Sequence, residues 1–88
     1  MKKFYIDPID GRKSFYNKCT VTEQDNGEKI LTSYTTPVMK ITTEGEPVRL
    51  WSGWSATTQR HIDAFLTFYG LSQHRGKAAT SKLRLEAQ

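Results

Sequence analysis

The sequence predicts an α+β domain, an antiparallel β-meander of three to five strands packed against one C-terminal α-helix. Three observations carry this prediction. Asn26-Gly27 stands between two β-like runs, the strongest short-range hairpin signal. Ile62, Phe65, Leu66 and Tyr69 recur at helical spacing and form one apolar stripe. Upstream, short runs rich in Thr, Tyr, Val and Ile are separated by Gly and Pro, as strands are by turns. A helix with a single apolar stripe must bury it against another layer, and the meander supplies one.

The elements follow in order. Phe4-Tyr5-Ile6 reads as a short first strand, stopped by Asp7-Pro8 and by Asp10-Gly11. Residues 13–23 read as a long strand, with Phe15, Cys19 and Val21 on one face and Tyr16, Lys18, Thr20 and Thr22 on the other. Residues 28–35, with Ile30, Thr32 and Tyr34, return from the Asn-Gly turn. Pro37 removes a ladder donor, so the chain must bend, bulge or lie at an edge there. Residues 38–43 continue as a strand, Glu44-Gly45-Glu46-Pro47 turns, and residues 48–51 form a last short strand. The helix spans residues 55–69. Ser55 is placed to accept a backbone N–H of the first turn, Gly70 to adopt the left-handed conformation that ends a helix, and Leu71 to fold back onto Leu66. Its stripe is expected to pack on Phe15, Val21, Ile30 and Leu50 or their strand neighbours. One domain of residues 1–71 results, followed at 72–88 by a basic tail, poorly ordered or a short extension. Lys82-Leu83-Arg84-Leu85 alternates like a strand and residues 78–87 suit a helical turn, but a frayed terminus is the default.

Composition narrows the class further. Eighty-eight residues make a single domain, which at this size buries only about 60% of the unfolded chain's surface. Hydrophobic residues at 36% and charged residues at 25% are ordinary for a globular protein. No apolar run reaches the roughly 18 residues of a membrane span. The start, Met-Lys-Lys-Phe-Tyr-Ile-Asp-Pro, has no apolar segment of the signal-peptide kind. Cys19 stands alone, so no internal disulfide forms, which fits a reducing, cytoplasmic setting. The net charge of +4 is unevenly spread. Residues 1–71 hold nine basic and eight acidic side chains, whereas residues 72–88 hold four (Arg75, Lys77, Lys82, Arg84) against Glu86. A near-neutral body with a basic tail is a weaker nucleic-acid signal than a basic face.

Two stretches, Ser33-Tyr34-Thr35-Thr36-Pro37-Val38 and Gly53-Trp54-Ser55-Ala56-Thr57-Thr58-Gln59-Arg60-His61-Ile62-Asp63-Ala64-Phe65, resemble the signature of a family of small uncharacterised phage, prophage and bacterial proteins. In that family a Ser-Tyr-x-Thr-x-Val strand precedes a Gly-x-Ser-x-Thr-Thr-x-Arg-His-Ile-x-x-Phe helix start. The resemblance covers about residues 15–71 and omits the tail. It implies a phage or mobile-element accessory protein, and it transfers no catalytic residue.

No catalytic, metal or cofactor site is expected. His61 and Asp63, two apart on one helix, face away from each other; His61 and His74 lack ligand spacing; no nucleophile-elbow context surrounds any serine. Two binding readings remain. In the first, nucleic acid lies on the sheet face through Lys18, Lys40, Arg49 and Trp51, with Tyr16 and Lys29 beside them, and on the tail through Arg75, Lys77, Lys82 and Arg84. In the second, a host protein binds Trp54, Arg60, His61 and Phe68. Of the two tryptophans, one is expected in the core, and Trp54 is expected to be partly exposed. Arg60 and His61 also lie near a helix start, where anions are favoured, but His61 suits better a ring packed on the sheet rim. Open strand edges make a homodimer plausible.

Overall fold

Hairpin chemistry sets the order of the sheet. The computed structural model describes residues 1–7 and 18–86. Within them β1 (Lys2–Tyr5), β2 (Cys19–Glu23), β3 (Lys29–Ser33), β4 (Thr36–Ile41) and β5 (Pro47–Arg49) each pair antiparallel with the next, in sequence order. The turn after β2 is the Asn-Gly turn: Gly27 sits at φ +94° and the Asn26 carboxamide oxygen accepts the Glu28 N–H at 2.9 Å. Residues 13–17 of the predicted long strand, including Phe15 and Tyr16, lie outside the described residues.

Register decides which side chains meet the helix. Phe4, Val21, Leu31, Met39 and Arg49 stand opposite one another across all five strands, on one face. Lys3, Thr22, Ile30, Lys40 and Val48 form the neighbouring row on the other face. Leu31, not the expected Ile30, therefore reaches the core, because a strand's two faces differ by a single residue. Leu50 lies past the end of β5, half-buried, with its N–H on the Val38 carbonyl at 2.9 Å. At Pro37 the expected irregularity is a bulge. Thr32 faces Pro37 while Leu31 faces Met39, so Val38 is the extra residue.

The helix α1 (Ala56–Phe68) begins and ends as its sequence predicts. The Ser55 hydroxyl accepts the Thr58 N–H at 3.0 Å. At the other end Gly70, at φ +75°, donates to the Thr67 carbonyl, and Leu71 donates to the Leu66 carbonyl at 2.7 Å, the two bonds of a Schellman motif. Ile62, Phe65 and Leu66 are buried against Cys19, Val21, Leu31, Val38, Met39 and Ile41. Tyr69 is half-buried, and its hydroxyl donates to Glu23 at 2.7 Å.

The segment after Gly70 folds back along β5. A 3₁₀ turn (Ser72–His74) leads into the short helix α2 (Lys77–Thr80), and residues 84–86 then run parallel to β5. The Arg49 N–H donates to the Arg84 carbonyl and the Glu86 N–H to the Arg49 carbonyl, both at 2.8 Å. The segment covers the outer edge of β5. Among the described residues no helix is long and apolar enough to cross a membrane.

Candidate functional site

The returning segment builds a cleft of about 190 Å³ between α2, the start of α1 and the loop that joins β5 to α1. Its depth reaches Val38 and Ile62 of the core, and its walls include the indoles of Trp51 and Trp54. Arg49 and Lys77 bring two cations to its lining, and no carboxylate belongs to that lining among the described residues.

Each wall has a local cause. Trp51 is half-buried and packed against the core, while Trp54 is 51% exposed, which divides the pair as expected. Gly53 lets the loop close on the Trp51 ring: a Cβ there would lie within 3.0 Å of three ring atoms. Gln59, which falls on the polar side of the helical wheel, is the joint of the cleft. Its carboxamide oxygen accepts the Trp54 indole N–H at 3.1 Å, and its NH₂ donates to Asp63 at 3.0 Å and to Thr80 at 3.1 Å. Asp63 also accepts the Gly76 N–H at 2.9 Å, and the Thr80 hydroxyl donates to the His74 carbonyl at 3.0 Å. These bonds tie α2 to α1. Lys77, at the start of α2, places its ammonium 4.3 Å from the centre of the Trp54 ring, a cation–π contact at a partly exposed site.

The remaining predicted contacts are dispersed. Parity puts Arg49 on the helix side of the sheet, where its Nε donates to the Leu83 carbonyl at 3.0 Å. Lys29 shares that side, over the Tyr69 ring at 5.5 Å. Lys40 lies on the opposite face, but its side chain is only 14% exposed and is held between Glu86 at 2.7 Å and Glu28 at 3.4 Å. The hydrogen bond between them raises the Lys40 pKa and lowers that of Glu86. Arg84 pairs with Glu46 at 3.2 Å and with Glu86 at 3.5 Å. In the row across the outer face only Lys3 and Lys40 are charged, so that row forms no continuous positive stripe. Lys18 is exposed over the Tyr34 ring at 5.5 Å. Arg75 and Lys82 are exposed, with one Arg75 guanidinium nitrogen 3.5 Å from the Thr67 hydroxyl. The structure thus gathers Arg49, Trp51, Trp54 and Lys77, drawn from both predicted sets, and separates the rest.

Arg60 is exposed and Phe68 is 57% exposed, whereas His61 is fully buried, which matches the packed-ring alternative and not an exposed contact. Its Nδ1 lies 2.6 Å from the Ser33 hydroxyl, itself 3.3 Å from the Thr58 hydroxyl. Burial, with the Lys18 charge nearby, pushes its pKa down to about 4. The Ser33–His61 pair is sealed from solvent and joins helix to sheet. Burial likewise pushes the Cys19 thiol up to about 12, which keeps it protonated and inert.

Residues 4–82 match a family of unknown function, DUF8033. The chain belongs to this family. Neither a curated protein nor a solved structure matches it. The DUF8033 match reaches through α2, so it takes in every wall of the cleft from Arg49 to Ser81.

Proposed function

We propose that this DUF8033 chain is a small non-enzymatic accessory protein of a phage or mobile element, acting in the cytoplasm, that binds single-stranded nucleic acid. The observation that carries the reading is the Lys77 ammonium 4.3 Å over the half-exposed Trp54 indole, at the mouth of a cleft lined by two indoles and two cations. Proteins that bind single strands combine aromatic platforms for the bases with cations for the backbone. The contact surface moves from the sheet face, where Lys40 is held by two glutamates, to this cleft, with exposed Arg75 and Lys82 as further cations of the same segment.

Titration with mixed-sequence single- and double-stranded oligonucleotides at about 50 mM salt tests the reading, since even non-specific phosphate binding is visible there. Single strands should bind, with a log–log salt slope of about −1.4 to −2.1, as two or three phosphates at about 0.7 each require. No binding of either form sinks it.

Phe68 favours a second reading. This exposed ring lies 5.6 Å from Phe4 and 4.9 Å from Tyr69, an aromatic patch at the far end of α1 of the kind that anchors protein partners. A host protein held there should lose affinity on Phe68→Ala and be indifferent to Lys77→Gln. The β1 edge beside Phe4 is where a homodimer would form.

A further inference from the structure

We propose that the Trp51–Trp54 cleft receives one unpaired nucleobase together with its phosphate, and that it does so without reading which base it is. This rests on the proposed function and gives that function its site. Size supports a single ring system. At about 190 Å³ the cleft falls below the roughly 300–1,000 Å³ of pockets that enclose whole ligands, yet it is comparable to the 150 Å³ cavity that takes a benzene ring. Charge supports an anionic ligand: Arg49 and Lys77 line the cleft and no described lining residue opposes them. Lys77 covers one face of the Trp54 indole, so a base that stacks there takes the place of the ammonium and brings its own phosphate within its reach.

Indifference to sequence follows from the hydrogen bonds. A base is distinguished by donors and acceptors aimed at its edge, and most side-chain groups of this lining that could serve are engaged within the fold, the Ser52 hydroxyl and the terminal guanidinium nitrogens of Arg49 being the exceptions. Gln59 is bound to Trp54, Asp63 and Thr80, Thr80 to His74, Ser81 to the Ala78 carbonyl at 2.9 Å, and Arg49 through Nε to Leu83. Beyond those few donors the cleft offers a ligand indole surface and positive charge, and every base has a π-face.

The test is indole fluorescence on adding homopolymers of about 12 nucleotides, a length within the range one small domain covers, and separately thymidine or adenosine monophosphate. The proteins are wild type, Trp54→Leu, Ser81→Phe (which fills the cleft and keeps both indoles), Lys77→Gln, and Lys3→Gln on the outer sheet face. Thymidine and adenosine strands should quench wild type with affinities within about tenfold of each other. Trp54→Leu and Ser81→Phe should each weaken strand binding about 5- to 100-fold at an unchanged salt slope. Lys77→Gln should lower the slope by about 0.7, and Lys3→Gln should change neither. Quenching by the monophosphates as well places a free nucleotide in the same cleft; quenching by strands alone assigns it to polymer, and both support the site. Strands that bind all five proteins equally overturn the cleft while leaving the function in place. Strong preference for one base overturns the indifference. Failure of every strand and monophosphate to bind overturns site and function together.

Discussion

The Trp54 indole N–H donates to the Gln59 carboxamide at 3.1 Å, and the same carboxamide donates to Thr80 on α2 at 3.1 Å. One buried side chain thus fixes the separation of the two sides of the cleft.

Replacing that joint should loosen the C-terminal segment before the core. Gln59→Leu leaves Asp63, Thr80 and the Trp54 N–H with fewer partners, a loss of about 1–3 kcal/mol when such groups stay buried. Hydrogen exchange is the sensitive readout. The Gly76 amide, which donates to Asp63, should exchange much faster in the variant, while amides of β2 and β3 change only with global stability. Equal acceleration at both places would remove Gln59 from this role.

Gly53 is required for close approach. Its backbone has an ordinary φ, but a Cβ would press on the Trp51 ring. Gly53→Ala should destabilise by about 1–3 kcal/mol, the cost of overpacking, and shift tryptophan emission to longer wavelength as the indole is pushed toward water. An unchanged melting temperature and spectrum would contradict the contact.

Gly70 is a conformational requirement instead. At φ +75° with nothing within 4 Å of a Cβ, Gly70→Ala should lose about 1–2 kcal/mol from the left-handed backbone alone, and Gly70→Val more. Ser55→Ala at the opposite end should lose about 1 kcal/mol. Thermal or denaturant unfolding of the three variants checks the order.

Features of this kind were legible in the sequence because they are local. Asn26-Gly27, Ser55, Gly70 and the stripe Ile62, Phe65, Leu66 each specify their own conformation within a few residues. The cleft was not, because it depends on parity and on chain closure. A single extra residue at the Val38 bulge and the register of β5 decide that Arg49 faces the helix while Lys40 does not. Gln59 reads as a solvated position until α2 folds over it. The available signals were weak: the small residues Ala78-Ala79-Thr80 permit close packing of α2, and the alternation of residues 82–85 anticipates the segment beside β5. The fate of the tail's charges, with Arg84 on Glu46 and Lys40 on Glu86, needs the tertiary structure.

Buried His61 gives stability a pH dependence of its own. Above pH about 6.5 the ring is neutral folded and unfolded. Between pH 6.5 and about 4 the unfolded chain binds a proton that the folded one excludes, so stability falls as pH falls, by about 1.4 kcal/mol per unit to a limit near 3 kcal/mol. Among the described residues, Ser33, Tyr34 at 5.7 Å between ring centres, and the Lys18 charge face the ring, and the Lys18 charge adds to the exclusion. His61→Asn should be less stable than wild type at pH 7, and the gap should narrow toward pH 4.5. Parallel melting-temperature curves would contradict a neutral buried imidazole.

The proposed ligand site lies between Trp54 and α2 and not on the sheet. The most direct measurement is the ¹H–¹⁵N spectrum of the labelled protein titrated with a short single-stranded oligonucleotide. Both indole N–H resonances and the Gly53, Lys77 and Ser81 amides should move, with Lys3, Thr22 and Ile30 on the outer face unmoved. Shifts confined to that outer row, or to Phe4 and Phe68, or a spectrum that does not change, would contradict it.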